Sequence, residues 1–318
     1  MSDLGYVLVL AGGLSYEREV SLRSGRRVSE VLRNAGIVVE TRDTDASLVP
    51  SILADPPDAV FVTLHGGAGE DGAIRSVLEL LSVPYVGAGP DACRVAFDKP
   101  TAKTVVRSVG LRTPDSVTLP KETFHDLGAS TVLTRIVERL GLPLFVKPSR
   151  GGSALGASTV RTAEDLPAAM VGCFAYGDTA LIERCVEGVE VGVAVVDLGE
   201  GPVALPPVEI VPDKGVYDYA ARYTAGHTEF FAPARLSPEA LAACAEMAVT
   251  AHTALGLRDI SRTDLIVDRD GLPHFLEVNV APGMTETSLL PMAVEAAGDD
   301  LGTVCRVLLE RAAARGAA

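Results

Sequence analysis

Residues 262–289 of the chain read RTDLIVDRDGLPHFLEVNVAPGMTETSL. Two apolar runs, 265–267 and 272–278, lie on either side of Asp270-Gly271. This dipeptide is typical of a two-residue type I′ turn between antiparallel strands. We therefore predict a hairpin in which residues at equal distances from the turn face each other.

The predicted register gathers three oxygen ligands. Asp264 lies opposite Glu277, and Arg262 lies opposite Asn279. Because side chains alternate along a strand, the two carboxylates share a face with Asn279, whereas Leu276 points the other way. Carboxylates with Cβ atoms about 5 Å apart repel each other unless a cation lies between them. Oxygen donors without Cys or His favour Mg²⁺ or Mn²⁺. From the hairpin alone, a solvated acidic face is an equally open alternative.

Composition limits the classes of protein to consider. Hydrophobic residues make up 47% of the 318 residues, enough for two or three domains with cores of their own. A formal net charge of -14 without any run of Lys or Arg argues against nucleic acid or an anionic membrane as a partner. The five cysteines show no CxxC spacing, which is typical of reduced thiols. With no recognisable signal peptide or membrane span, we expect a soluble cytoplasmic protein.

The first hundred residues alternate between strand and helix patterns, as in an open α/β sheet. Gly12-Gly13 and then Glu17 follow the first strand, and His65 follows the third, in a glycine-rich segment that contains Glu70. Such strand ends line the crevice of an open sheet, where ligands bind. A dinucleotide fold is a weak rival because the third glycine of GxGxxG is missing. His65 with Glu70 is as easily structural as functional. Strands are predicted at 6–11, 38–42, 59–64 and 85–87, and helices at 15–35 and 72–81.

A strand that bears Lys147 enters a loop with Gly151, Gly152 and Gly156, and the chain leaves as another strand. Glycines let backbone N–H groups approach phosphates, and Lys147 adds a positive charge. The motif GxxxxGK[ST] is absent, so the loop is not a P-loop. The segment is either a hairpin that folds over a nucleotide or a plain hairpin turn.

Segment 181–196 has the pattern strand, break, strand. Its Glu183, Glu187 and Glu190 are either exposed or hold the adenine and ribose of a nucleotide. Segment 214–227 contains three tyrosines without clear periodicity, which is typical of an ordered loop that acts as a lid. Further helices are predicted at 131–140, 238–255, 286–296 and 300–314.

Several motifs occur in an order specific to one family. They are Gly12-Gly13 with Glu17 to Leu22, His65-Gly66 with Gly69 to Gly72, Asp98-Lys99, Val146 to Arg150, Tyr217 to Tyr219, Arg262 to Asp264 with Glu277 to Asn279, and Pro282 to Thr285. Through these motifs the chain resembles the D-alanine-D-alanine ligases of the ATP-grasp superfamily over nearly its full length. The resemblance favours a metal site over a solvated face for the hairpin.

The resemblance implies a mixed α/β and α+β architecture, the ATP-grasp fold. An N-terminal open parallel α/β domain would span residues 1–100, a small central β-rich domain 101–182, and a C-terminal α+β domain 183–318. The implied reaction joins two D-alanines to D-alanyl-D-alanine for peptidoglycan precursor synthesis. It uses ATP and passes through an acyl phosphate and a tetrahedral intermediate. We expect the protein to be a homodimer.

The resemblance also implies where the nucleotide binds. ATP would lie between two sheets, together with two Mg²⁺ ions or Mn²⁺ held by Asp264, Glu277 and Asn279. The implied contacts of its phosphates are Lys99, Lys147, Arg222 and the loop around Ser153. The implied contacts of its adenine and ribose are Glu183, Arg184, Val186 and Glu190.

The amino-acid substrates would bind beside these phosphates. Glu17 would hold the ammonium group of the first D-alanine, with His65 in the same cavity. Ser288 and Leu289 would hold the carboxylate of the second. The implied oxyanion donors are Arg262 and the backbone N–H of Gly283.

A lid tyrosine would close the site. In the resembled family, the residue matching Tyr223 hydrogen-bonds the serine matching Ser153, which reaches the glutamate matching Glu17. The depsipeptide-forming relatives lack this tyrosine. Its presence therefore favours an amine as the second nucleophile.

Four positions depart from the family's usual residues. Gly151 replaces Glu, Ala154 replaces Ser, Arg222 replaces Lys, and Thr287 replaces a residue that is often His. The first two remove polar anchors from the phosphate loop, and Thr287 leaves the acceptor open. A relative that joins other amino acids and a nucleotide-binding protein without catalysis are the alternatives. The intact metal ligands and Arg262 argue against a nucleotide-binding protein without catalysis.

Overall fold

The computed structural model describes residues 4–213 and 227–316. Its first sheet is parallel, with the strand order β2-β1-β3, and consists of β1 (Val7–Leu10), β2 (Val39–Arg42) and β3 (Ala59–Val62). Every residue of β1 and β3 is buried. Their continuous apolar sequences suit a parallel sheet that is covered on both faces.

Helices cover this sheet and the two sheets that follow. In chain order they are α1 (Arg18–Asn34), α2 (Leu48–Ala54), α3 (Ala73–Leu80), α4 (Pro90–Phe97), α5 (Lys99–Ser108), α6 (Lys121–Leu127), α7 (Ala129–Leu140), α8 (Leu166–Phe174), α9 (Pro238–Ala254), α10 (Leu289–Ala296) and α11 (Leu301–Arg315). The last helix, α11, packs on α1 and β3, and one buried cluster contains Val7, Phe61 and Leu308. The end of the chain thus completes the core of its beginning.

The second sheet is antiparallel and has the order β4-β7-β5-β6. Its strands are β4 (Ser116–Pro120), β5 (Leu144–Pro148), β6 (Ser158–Val160) and β7 (Thr179–Arg184). The predicted glycine-rich hairpin is the β5–β6 pair. Helix α8 packs on β5, β6 and β7, so one face of the sheet is covered and the other faces the third sheet across a cleft.

The third sheet has six strands in the order β11-β10-β8-β12-β13, and β9 pairs with the end of β8, beyond the part of β8 that pairs with β10. They are β8 (Val189–Asp197), β9 (Pro202–Ala204), β10 (Val208–Pro212), β11 (Thr228–Phe231), β12 (Ile260–Val267) and β13 (Pro273–Asn279). Helices α5 and α9 pack on its β13 strand. The predicted hairpin consists of β12 and β13, and it forms one edge of this sheet.

The structure confirms the predicted pairing where the hairpin carries its polar side chains. Asp264 faces Glu277, and Arg262 faces Asn279. Strand β12 also pairs with β8 along its whole length. Asp264 is thus fixed on both sides by backbone hydrogen bonds, whereas Glu277 and Asn279 lie on the edge strand β13.

The predicted two-residue turn at Asp270-Gly271 is wrong. Leu265 faces Phe275, one residue out of the predicted register, and the connection covers 268–272. The N–H of Asp268 donates to the carbonyl of Leu272 at 3.0 Å, which leaves 269–271 as the loop. Gly271 has a φ of 77°, as in three-residue hairpin loops that end in the left-handed region. A bulge at Leu276 then restores the predicted register. It also turns Leu276 into the cleft, so the prediction that this side chain points away is wrong as well.

Other differences from the predictions are small. Helix α1 begins at Arg18 rather than near residue 15, and α10 begins at Leu289 rather than 286. The predicted strand at 85–87 is a single bridge between Val60 and Tyr85. The proposed domain boundaries at residues 100 and 182 fall inside α5 and β7 and stay predictions. No helix within residues 4–213 or 227–316 has the length and apolarity of a membrane span.

Candidate active site

A cleft of about 410 Å³ lies between the second and third sheets. The described residues predicted to contact the adenine, the ribose, the phosphates or the metal line it together, except Ser153 and Asn279. They are Lys99, Lys147, Glu183, Arg184, Val186, Glu190, Asp264 and Glu277. One cleft therefore joins side chains from segments that are far apart in sequence.

Two buried lysines give the cleft its positive charge. Lys147 extends from β5, with its Nζ 2.9 Å from Glu183 Oε2 and 3.9 Å from Glu277 Oε2. Burial lowers the pKa of Lys147, but the two carboxylates more than offset this and hold it above its usual value. Lys99, at the start of α5, donates to the carbonyl of Gly151 at 2.6 Å and lies 3.7 Å from Glu277.

The loop between β5 and β6 has an unusual backbone. Ser153 and Ala154 have φ values of 54° and 55°, in the left-handed region, which L residues rarely adopt. Gly151 has a φ of 109°, a conformation open to glycine and strained for the family's usual glutamate. The departure at 151 therefore fits the backbone of this loop.

The hairpin side chains fit a hard cation. Arg262 donates to both carboxylate oxygens of Asp264, at 2.6 and 2.8 Å, and the amide of Asn279 donates to Asp264 Oδ2 at 3.3 Å. Oxygen donors of this kind suit Mg²⁺ or Mn²⁺. In the described ranges no group of three His, Cys, Asp or Glu side chains gathers at one point. The candidate set therefore consists of the two carboxylates and the amide oxygen of Asn279.

A smaller cavity of about 50 Å³ adjoins the cleft. All of the described residues predicted to hold the amino-acid substrates or the oxyanion line it: Glu17, His65, Arg262, Gly283, Ser288 and Leu289. Ser153 of the phosphate loop lines it as well. Asn279 and Thr287 also line it. The structure thus brings together the end of β3, the loop after β5 and the segment after β13.

Ser153 connects the phosphate loop to this cavity. Its hydroxyl donates to the carboxylate of Glu17, and both residues are buried. Of the predicted chain of contacts, the link between these two residues is confirmed. Its third member, Tyr223, and the predicted phosphate ligand Arg222 lie outside the described residues.

His65 is held in one tautomer by its neighbours. Its Nδ1 lies 3.0 Å from the carbonyl of Ala281, which only accepts, so Nδ1 carries the proton. Ser24 Oγ donates to Nε2 at 2.9 Å and accepts from the N–H of Met284 at 3.1 Å. Burial, with a smaller contribution from the positive charge of Arg262, lowers the pKa of His65 to about 4, against the opposing effect of the hydrogen bond to Ala281. The ring is therefore neutral and ties β3 to the segment after β13.

A close contact explains the glycine at position 283. A Cβ atom there would lie 2.6 Å from Ser288 Oγ. That hydroxyl accepts from the N–H of Thr285 at 2.9 Å and also lies 2.9 Å from Thr285 Oγ1. The serine at the start of α10 is thus fixed beside the N–H of Gly283.

Comparison with known proteins places the chain in a family. Residues 40–88 match the family model described as "D-ala D-ala ligase N-terminus", and residues 105–310 match "D-ala D-ala ligase C-terminus". The chain is 40% identical over 307 residues to the D-alanine--D-alanine ligase of Anaeromyxobacter sp. (strain K), covering 96% of each. The chain belongs to the D-alanine-D-alanine ligase family.

Solved members of this family have the same fold. The VanG D-Ala:D-Ser ligase from Enterococcus faecalis is 28% identical, with a TM-score of 0.83 over 98% of this chain and 100% of that one. The D-alanine--D-alanine ligase from Bacillus anthracis complexed with ATP is 27% identical, with a TM-score of 0.79 over 97% and 96%. The ATP-grasp fold predicted from the sequence is thereby confirmed.

Two site residues of this family member were not predicted. Glu70 was noted beside His65 without a role, yet it is buried, lines the small cavity and accepts from the N–H of Gly66 at 2.8 Å. Burial, together with the nearby Glu17, raises its pKa to about 8. Lys103 is fully buried behind the cleft. Its position one helical turn after Lys99 is the sequence signal that it shares that residue's face.

Proposed function

We propose that this protein is an ATP-dependent ligase that joins two D-alanines to D-alanyl-D-alanine, with release of ADP and phosphate. The observation that supports it most directly is the junction of the two cavities. Asp264 lines the nucleotide cleft, and Arg262, which holds both of its oxygens, lines the small cavity. A phosphoryl group in one cavity and a carboxylate in the other can therefore meet.

In the proposed reaction, a carboxylate oxygen of the first D-alanine attacks the γ-phosphorus of ATP, and the bond to the β-phosphate oxygen breaks. Lys99 and Lys147 place positive charge beside the transferred group, which positions it and offsets its negative charge. Mg²⁺ or Mn²⁺ held by Asp264, Glu277 and Asn279 would add further charge neutralisation. Mixed acid anhydride and ADP are the products of this step.

The ammonium group of the second D-alanine loses one proton to the solvent, and the resulting amine then attacks the carbonyl carbon of the acyl phosphate. Arg262 and the N–H of Gly283 face the oxyanion that forms, a stabilisation worth about 3 to 4 kcal/mol per donor in other enzymes. The intermediate loses a proton from nitrogen and expels phosphate to leave the peptide bond. No covalent bond to the protein is needed.

Charge matching assigns the two substrates within the small cavity. Each D-alanine carries one ammonium and one carboxylate group, and the cavity is lined by two carboxylates, Glu17 and Glu70. Glu17 would hold the first ammonium group. Burial raises the pKa of Glu70 to about 8, and the second ammonium group would favour its ionised form and be held by it. Ser288 and the backbone of Leu289 would hold the second carboxylate.

A D-alanine-D-serine ligase is the second candidate. The solved D-Ala:D-Ser ligase is as similar in fold and sequence as the solved D-alanine--D-alanine ligase, and Thr287 leaves the acceptor side open. We also propose that the protein is a cytoplasmic homodimer and that its product is used in peptidoglycan precursor synthesis.

The test is a product assay. The protein is incubated with ATP, Mg²⁺ and D-alanine, alone or with D-serine, D-lactate or L-alanine, and phosphate release and product mass are measured. We expect D-alanyl-D-alanine as the main product and negligible D-alanyl-D-lactate near neutral pH. A main product of D-alanyl-D-serine would favour the second candidate. Nucleotide binding without phosphate release would contradict both.

A further inference from the structure

Two tyrosine rings from distant parts of the chain meet at the protein surface. Tyr16 lies in the loop between β1 and α1, and Tyr176 lies in the turn between α8 and β7. Their ring centroids are 5.8 Å apart and the ring planes are inclined by 70°, a T-shaped arrangement that aromatic pairs prefer. Tyr16 is 75% exposed and Tyr176 is 47% exposed. The pair therefore joins a loop of the first sheet to a turn of the second.

Tyr16 lies in the loop that carries a substrate ligand. It directly precedes Glu17, the residue proposed to hold the ammonium group of the first D-alanine. Ser15, on the other side of Tyr16, donates from Oγ to the carbonyl of His65 at 2.5 Å and accepts from the N–H of Glu17 at 3.1 Å. These hydrogen bonds fix the backbone before and after the ring. The position of the Tyr16 ring is thus tied to that of Glu17.

Tyr176 packs on the phosphate loop between β5 and β6. A Cβ atom on Gly156 of this loop would lie 2.8 Å from Tyr176 Cδ2, so a glycine is needed for the ring to lie this close to the backbone. The N–H of Tyr176 donates to the carbonyl of Cys173 at 3.0 Å, which fixes the turn to the end of α8. The ring therefore connects α8 with the phosphate loop.

The same two loops also meet inside the protein. There the buried hydroxyl of Ser153 donates to the buried carboxylate of Glu17. A Cβ atom on Gly152 would lie 3.0 Å from both oxygens of that carboxylate, so the backbone of the phosphate loop lies against it. Neither Tyr16 nor Tyr176 lines the nucleotide cleft or the small cavity. The two rings thus form an outer contact between loops whose inner contact belongs to the site.

We propose that Tyr16 and Tyr176 are positioning residues whose ring contact holds the phosphate loop against Glu17. The loop then keeps the transferred phosphoryl group beside the carboxylate of the first D-alanine. The catalytic consequence rests on the proposed function, whereas the contact between the loops does not. An aromatic pair of this geometry changes an equilibrium by a factor of about 3 to 10. Its loss therefore loosens the loop and leaves the fold intact.

Hydrogen exchange of the whole protein without substrates tests the contact independently of turnover. The N–H of Ala157 donates to the carbonyl of Ala154 at 3.1 Å, so its exchange reports on opening of the phosphate loop. Tyr16→Ala should speed exchange in 151–157 at least threefold, although it changes a different loop. Leu14→Ala is the matched control, because Leu14 lies in the same loop as Tyr16 and is 99% exposed. It should leave exchange in 151–157 unchanged.

A kinetic measurement tests the consequence for the first substrate. Hydroxylamine traps the acyl phosphate as a hydroxamate, so ATP and the first D-alanine suffice for the assay. Tyr16→Ala should lower kcat/KM for D-alanine by a factor of about 3 to 10. Tyr16→Phe keeps the ring and should stay within about twofold of wild type. Circular dichroism checks that each variant is folded.

The double variant distinguishes a shared contact from two separate effects. If the rings act through each other, adding Tyr16→Ala to Tyr176→Ala should change exchange and kcat/KM by less than about twofold. If each ring supports its own loop, the two effects should multiply instead. The cycle therefore measures the contact between the rings, which a purely local role of either residue would not produce.

Three outcomes would overturn the proposal. They are unchanged exchange of 151–157 in Tyr16→Ala, an effect of Tyr16→Ala that is equally large when residue 176 is already alanine, and faster exchange with unchanged kcat/KM. Failure of the wild type to form hydroxamate would contradict the proposed function instead. The exchange experiment would then still decide whether the rings hold the two loops together.

Discussion

Glu70 is a buried residue with a proposed role in binding the second D-alanine. Glu70→Gln keeps an oxygen that can accept the N–H of Gly66, so the loop at the end of β3 should be preserved. What it loses is the ability to ionise beside the ammonium group of the second D-alanine, a cation that would lower the raised pKa of Glu70. The variant should therefore form the acyl phosphate and fail to pass it to the second D-alanine.

Hydroxylamine separates these two steps, because it traps the acyl phosphate as a hydroxamate and needs no ammonium site. For Glu70→Gln we expect hydroxamate formation within about threefold of wild type and dipeptide formation lowered by a factor of about 10 or more, the scale of one charge-assisted contact. Glu246→Gln, on the exposed side of α9, is the control. An equal loss of both products would show that Glu70 acts before the second substrate.

His65 predicts how stability depends on pH. Its folded pKa of about 4 lies below the 6.5 of the unfolded chain. Between these values the unfolded chain binds a proton that the folded protein does not, so the free energy of unfolding falls as pH decreases. One proton contributes a slope of up to about 1.4 kcal/mol per pH unit.

The comparison is between wild type and His65→Gln, followed by thermal unfolding from pH 7 to 4. The variant should be less stable at pH 7, because two buried hydrogen bonds are disturbed, and should lose less further stability on acidification. His125→Gln, at an exposed position, should keep the wild-type pH dependence. Parallel curves for wild type and His65→Gln would contradict a neutral buried ring.

At the level of elements, the hairpin of β12 and β13 was predictable where it matters for the site. Alternating side chains and a turn dipeptide were enough to pair Asp264 with Glu277. The loop length and the bulge at Leu276 were not, because two opposite one-residue shifts cancel and leave the same pairs at the far end. The alternation of side chains in the sequence predicts the net register of the two strands but not the positions of the individual shifts.

Tertiary burial also hides some residues from a sequence argument. Lys103 has the local pattern of an exposed helical lysine, and only packing of α5 against β13 buries it. The phosphate loop was predicted from its glycines, but the left-handed backbone at Ser153 and Ala154 was not. Neither residue is a type that signals this conformation.

The third prediction concerns the candidate metal ligands on the hairpin of β12 and β13. Asp264→Asn and Glu277→Gln should each lower phosphate release to less than a tenth of wild type at saturating Mg²⁺, because each removes charge from the cation site without a change in volume. Asp270→Asn, at the exposed tip of the same hairpin, should be active. More than a tenth of wild-type release in either site variant, with the fold intact, would count against this metal site.

At the scale of the whole molecule, the three sheets converge on one reaction centre. The parallel sheet supplies Glu17 and His65, the second sheet supplies Lys147, and the third supplies Arg262 and Asp264. The order of motifs predicted this convergence through the family, whereas no single segment did. In the proposed reaction, a carboxylate oxygen in the small cavity attacks a phosphoryl group in the cleft.

Transfer of a carboxylate oxygen from D-alanine to phosphate tests this step directly. D-alanine labelled with ¹⁸O in its carboxylate is converted with unlabelled ATP, and the phosphate released is examined by mass spectrometry. An acyl phosphate keeps the attacking oxygen on phosphorus when the amine displaces it. We therefore predict one ¹⁸O atom in inorganic phosphate for each dipeptide formed, with ADP unlabelled. Unlabelled phosphate, or label in AMP, would contradict it.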